Sequence, residues 1–179
     1  MLRSLCAVGT FGILAAAVSS ASAAVVFSGD TTGDPFWNRP VAGNPPTPPT
    51  SGVGTAVPYE TFSFTVDISG AYVFQSTAVS PANWDNYAFL YSPSFNAAAQ
   101  FNNVLVGNDD NTTIGRAGFT RALTAGTSYV FVETGFANTN SGTWDLDVTG
   151  PGNVIVPEPA SFGIIGIAAM TLLRRRSQA

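Results

Sequence analysis

Thr143-Trp144-Asp145-Leu146-Asp147-Val148-Thr149 alternates without a break, with Trp, Leu and Val on one side and Thr and Asp on the other. A period of two is the pleat of a β-strand with one face buried and one face wetted; a helix would repeat every three to four residues instead. Upstream, Ala125-Gly126 marks a turn after which residues 128–134 read as another strand, and residues 117–123 form a weaker one with Phe119 and Leu123 on one face. Val104-Leu105-Val106 is short and stops at Gly107-Asn108-Asp109. Tyr87-Ala88-Phe89-Leu90-Tyr91 is apolar on both faces, the pattern of a central strand. Residues 71–79 carry Tyr72 and Phe74, and Ser69-Gly70 turns into them from a strand in which Phe62, Phe64, Val66 and Ile68 point inward. Seven or eight short strands between Gly/Asn/Asp turns, with no helical stripe, predict an all-β, antiparallel sandwich. No internal repeat suggests a solenoid or propeller.

The 179 residues suffice for one ordinary domain with peripheral segments. Seven basic side chains, all arginine, stand against 11 acidic ones, for a net charge of -4, and there is no histidine. The single cysteine is Cys6. This inventory excludes a Ser-His-Asp or Cys-His nucleophile pair and a zinc site of Cys and His. Nucleic-acid binding is not expected either, for want of a basic stripe.

The ends have their own grammar. Met1-Leu2-Arg3, an apolar run over 5–18 and Ala21-Ser22-Ala23 make up a secretory signal, with signal peptidase expected to cut before Ala24. Export would leave the body without a thiol, and so without disulfides. At the other end Pro157-Glu158-Pro159 precedes an apolar stretch over 160–173 and the cluster Arg174, Arg175 and Arg176. The cluster is a positive-inside stop, placing the C-terminus in the cytoplasm. The apolar stretch is 14 residues against the roughly 20 of a full span, so length alone leaves a buried helix open. Snorkelling arginines and a thinned bilayer absorb part of the mismatch.

These three parts in this order resemble the PEP-CTERM sorting signal of exported bacterial proteins, a segment that also carries the label of an ice-binding protein C-terminal domain. The resemblance covers about 24 residues. It implies recognition by exosortase, a membrane protease-transpeptidase, at or near Pro157, Glu158 and Pro159, with Arg174 to Arg176 as the cytoplasmic stop.

Between the ends, three arginines against ten carboxylates leave the body at -7, a surface suited to solubility outside the cell. Residues 31–58 are rich in Pro, Gly, Thr and Asn and culminate in Asn44-Pro45-Pro46-Thr47-Pro48-Pro49-Thr50. Such composition precludes helix and central strand, and its plain reading is a solvated extended spacer. The other reading is a segment wrapping the domain with Phe36 and Trp37 as anchors. Val25-Val26-Phe27 is expected to give a short first strand.

The body from about residue 59 to 149 resembles a pre-peptidase C-terminal (PPC) domain. The carrying motifs are Ser69-Gly70-Ala71-Tyr72-Val73-Phe74, Trp84-Asp85-Asn86-Tyr87-Ala88-Phe89-Leu90-Tyr91, Asn108-Asp109-Asp110, 123–129 and Ser141-Gly142-Thr143-Trp144-Asp145-Leu146. The resemblance implies a small jelly-roll-like β-sandwich of the kind appended to secreted enzymes. No enzyme domain accompanies it in this sequence.

Candidate chemistry is sparse. Asp145 and Asp147 share a strand face about 7 Å apart, a separation compatible with a glycosidase pair, but alternation alone explains them as solvated. Asn108-Asp109-Asp110-Asn111 is a dense set of oxygen ligands, with Asp85 expected to approach from the neighbouring strand turn. It departs from an EF-hand, since Ile114 and Thr120 stand where glycine and glutamate belong. A polar β-turn is the plainer account, and Asp109 and Asp110 are candidate calcium ligands only. Trp84, Trp144, Tyr87 and Tyr91 are of the type that stacks on sugars, yet their apolar neighbours place them in the core.

The sequence thus predicts a signal peptide (1–23), a short strand and extended segment (24–58), a PPC-like sandwich (59–150) and a sorting signal (151–179) with one transmembrane helix. The expected function is that of an exported, non-enzymatic protein of the cell envelope or extracellular matrix, held in the inner membrane until processed. Its expected partners are signal peptidase, exosortase and extracellular polysaccharide, with no cofactor beyond candidate calcium. A calcium-assisted carbohydrate- or protein-binding module is the alternative, and a secreted hydrolase comes third.

Overall fold

The computed structural model of the chain describes residues 23–157. All of its long elements are strands. β1 (Ala23–Asp30), β4 (Gly70–Ser80), β7 (Arg116–Leu123) and β9 (Thr143–Gly150) form a four-stranded antiparallel sheet in the order β1-β9-β4-β7. β3 (Val57–Val66), β5 (Asn86–Tyr91), β6 (Val104–Asn108), β8 (Tyr129–Gly135) and β10 (Val154–Ile155) run in the order β10-β3-β8-β5-β6. The two-residue β2 (Phe36–Trp37) adds to this second sheet by pairing with β3.

The alternation of β9 is realised as read, with Trp144, Leu146 and Val148 buried between the sheets and Asp147 exposed. Register carries this across its neighbours: Phe27 opposes Leu146 on β1, and Phe74 opposes Val148 on β4. From the facing sheet Phe64, Leu90 and Phe131 complete the core, where the Phe74 and Phe131 rings lie parallel within 10° at 6.2 Å. Ile68 departs from expectation. β3 ends at Val66, so Ile68 falls in the turn and is 49% exposed.

β5 and β8 are central and buried along their whole length. Their inner side chains face the other sheet. Their outer ones, Tyr87, Phe89, Tyr91, Val130 and Val132, form a second apolar cluster closed by Trp37, Val57 and Phe95. The Pro-rich segment is therefore a strap across the outer face of the larger sheet, and the solvated-spacer reading is corrected. Trp37 is the reason: its ring meets Phe89 and Phe95 edge-on at 5.4 and 5.3 Å, and its Nε1 donates to Thr134 Oγ1 at 3.0 Å. Phe36, the other proposed anchor, points to solvent.

The described residues thus hold ten strands rather than seven or eight. The additions are the two-residue β2 and β10; the short first strand expected at Val25-Val26-Phe27 is β1, which extends to eight residues because it pairs with all of β9. No helix among the described residues is long and apolar enough to cross a membrane. The signal peptide up to residue 22, the expected transmembrane helix, and Glu158, Pro159 and Arg174 to Arg176 lie outside the described residues.

Candidate functional site

The acidic turns come together as the strand pairing dictates. β5 and β6 are antiparallel neighbours with Ala88 opposite Asn108, so the residue before β5 and those after β6 share one end of the sheet. Asp85, Asp109 and Asp110 meet there, each offering a carboxylate oxygen within 4.8 Å of the others. Burial, then the charges of Asp85 and Asp110, push Asp109 up to about 6, while Arg39 opposes the shift. Asp109 Oδ1 is buried and accepts no hydrogen bond. Asp85 moves upward too, by burial and then by Asp110. The flanking amides brace the turn: Asn108 Nδ2 donates to the Gly118 carbonyl at 2.6 Å, and Asn111 Nδ2 to Gln75 Oε1 at 2.5 Å. A divalent cation fits this donor set by chemistry, since hard cations take carboxylate and carbonyl oxygens.

Arg39, carried in by the strap, is 2% exposed. Its guanidinium lies 4.0 Å over the Tyr87 ring and 5.2 Å from that of Phe136. Nε donates to the Gly135 carbonyl at 3.0 Å, Nη1 to that of Pro40 at 2.9 Å and Nη2 to that of Phe136 at 2.6 Å. Gly54 is required here, because a Cβ at that position would sit 2.6 Å from Arg39 Nε. Sequence reasoning missed this residue, whose burial depends on chain roughly a hundred positions away.

A second polar cluster is closed off between the sheets. Ser76 of β4, Asn86 of β5 and Glu133 of β8 are all fully buried. Ser76 Oγ donates to Glu133 Oε1 at 2.7 Å, and Asn86 Nδ2 donates to Ser76 Oγ and to Glu133 Oε1, both at 2.9 Å. Burial pushes Glu133 up to about 8 against the pull of the Asn86 and Ser76 hydrogen bonds. Strand parity was the available signal, since Ser76 follows Tyr72 and Phe74 at inward positions.

The remaining candidates separate. Asp145 lies on the outer face of the smaller sheet and accepts from Ser28 Oγ at 2.6 Å, while Asp147 is exposed beside it. Trp84, Trp144, Tyr87 and Tyr91 are all buried, which leaves no ring face for a sugar. Ala23 is the first residue of β1, opposite Gly150, with Ala24 opposite Thr149 and Ala21 outside the described residues. Pro157 is exposed just past β10.

No family model and no curated protein matches this chain. Among solved structures it is similar to the Yersinia pseudotuberculosis-derived mitogen, at 10% identity and a TM-score of 0.41, over 78% of this chain and 90% of that one. The K1 cleaved adhesin domain of Lys-gingipain from Porphyromonas gingivalis is similar at 16% identity and a TM-score of 0.35, over 76% and 99%. The K3 domain of the same protein gives 17% and 0.32, over 74% and 91%. With each of these scores under 0.5, none of these likenesses bears on the site.

Proposed function

We propose that this chain is an exported, non-enzymatic β-sandwich protein, sorted to the cell envelope or extracellular matrix through its C-terminal signal and processed there by exosortase. The observation that supports the reading is where the strand pairings of the described residues fall relative to the two expected cuts. Among the described residues, β1 crosses the expected signal-peptidase cut by one residue, and β10 ends at Ile155, two residues before Pro157. Cutting before Ala24 and near the Pro-Glu-Pro motif spares every strand pairing among the described residues except that of Ala23 with Gly150. The sandwich is a cargo that both trimming steps leave whole. Expression in cells with and without an exosortase tests this, with N-terminal sequencing and C-terminal mass spectrometry of the envelope fraction. The expected product starts at Ala24 and lacks Arg174 to Arg176 only where the sortase is present. An intact Met1, or the same full-length tail in both strains, would reject it.

A second reading, a calcium-assisted module binding carbohydrate or protein, is favoured by the Asp85–Asp109–Asp110 cluster. Calcium there would hold two strand ends, and the turns of β5 and β6, in one conformation.

A further inference from the structure

Ser76, Asn86 and Glu133 place a hydroxyl, a carboxamide and a carboxyl group in mutual hydrogen-bond contact inside a core that excludes water. We propose that these residues form an intramolecular ester crosslink between Ser76 and Asn86, with Glu133 as the catalytic acid–base. Ser76 Oγ is 2.9 Å from Asn86 Nδ2, so the amide carbon, one C–N bond of about 1.3 Å further on, lies within about 4.2 Å of the nucleophile. From that bound, a side-chain rotation that closes the pair by about 0.7 Å reaches the roughly 3–3.5 Å of a near-attack geometry.

The reaction balances within the chain. Ser76 Oγ attacks Asn86 Cγ as the Glu133 carboxylate takes the hydroxyl proton. The tetrahedral adduct then collapses with cleavage of Cγ–Nδ2, and Glu133 returns the proton to the departing nitrogen. An alcohol and a primary amide become an ester and one ammonia, with no change of oxidation state and no external reactant. Two features suit the pocket to this step. Asn86 Oδ1 and Glu133 Oε2 are buried and accept no hydrogen bond, so neither oxygen is held in a competing contact. A carboxyl group held up to about 8 is a stronger base than an ordinary one when ionised, and it changes protonation near neutral pH. Ammonia loss to bulk solvent draws the reaction forward, and the dry core protects the ester from hydrolysis.

The bond would join β4 in one sheet to β5 in the other, near the loop that links them. An exported body without a cysteine has no disulfide with which to make such an inter-sheet tie, and this chemistry supplies one as a carbon–oxygen bond.

Chymotryptic mapping of the folded full-length chain, held at pH 8 before digestion, decides the matter. Cleavage after Phe74, Trp84 and Tyr87 releases residues 75–84 and 85–87 as separate peptides from an unlinked chain. The expected result is a branched peptide joining the two, lighter than their sum by one ammonia and opened by hydroxylamine. Glu133→Gln, which keeps the side-chain shape, is expected to yield only linear peptides while retaining the wild-type circular dichroism. Linear peptides at full mass from folded wild-type protein overturn the proposal. An ammonia loss confined to the 85–87 peptide, the mark of a succinimide, overturns it as well. A branched peptide that persists in Glu133→Gln overturns the role given to Glu133.

Discussion

Glu60 and Glu133 stand directly opposite one another on β3 and β8, with both side chains turned toward the smaller sheet, yet only Glu60 reaches solvent. Glu60 accepts from Trp144 Nε1 at 3.0 Å and from the Asp30 N–H at 2.9 Å. Among the described residues the Glu133 side chain has Ser76 and Asn86 as its hydrogen-bond partners, and the charge on Glu60 adds to the burial that raises it. One paired position therefore holds a carboxylate at the rim and a proton-bearing carboxyl group inside.

This arrangement makes the fold more stable in mild acid than in mild alkali. The folded chain holds the Glu133 proton up to about 8, whereas the ordinary value is 4.5. Its contribution is full below the ordinary value and is lost as pH rises through the folded one, on the order of 1 kcal/mol per pH unit over that window. Asp109, raised to about 6, adds to the same trend over the lower part of it. Thermal melts between about pH 4.5 and 8.5 are expected to show Tm falling with pH, and Glu133→Gln is expected to flatten most of that slope. A wild-type Tm that climbs across this range would contradict the assignment.

Trp37→Ala is expected to cost about 3–5 kcal/mol, the range for truncating a buried aromatic. Phe36→Ala, one residue earlier and 64% exposed, is expected to stay within about 0.5 kcal/mol of wild type. Urea unfolding of the two variants measures the difference. A free spacer would leave both neutral, so the contrast between adjacent residues reports directly on the strap.

Strand pattern was legible wherever one face is wet: β9, β4 and β3 announced their inward residues by alternation, and β5 announced its central place by lacking it. The strap was not, because proline-rich chain has the same composition whether it lies on a protein or in water. What decides between them is the partner surface, and Trp37 finds its own at Thr134, far along the sequence. The acidic site was half legible. Asp109 and Asp110 are adjacent in the chain, and the turn of β5 was expected to bring Asp85 to them. Arg39, which tempers their charge, arrives only through the strap and left no mark in local pattern. Ser76, Asn86 and Glu133 each read as an ordinary strand residue, and only the stacking of one sheet on the other joins them.

The acidic turns make the last prediction. Three carboxylates within 4.8 Å repel one another, with Arg39 as the nearby positive group opposing the rise of Asp109 and Asp85. In a calcium-free buffer at pH 7, Asp109→Asn is expected to raise Tm, because it removes a charge that burial and its neighbours disfavour. Calcium, on the second functional reading, replaces that repulsion by coordination and stabilises the wild type by about 2.7 kcal/mol at a hundredfold excess over its dissociation constant. Because protons and calcium compete for Asp109, the gain should shrink as pH falls below about 6. The Asp109→Asn, Asp110→Asn double variant is expected to lose the calcium response and keep the calcium-free fold. Differential scanning fluorimetry with calcium, and with magnesium as the smaller control ion, reads all of these. A wild-type melt indifferent to calcium at every pH leaves the turn as a turn and removes the metal from the functional reading.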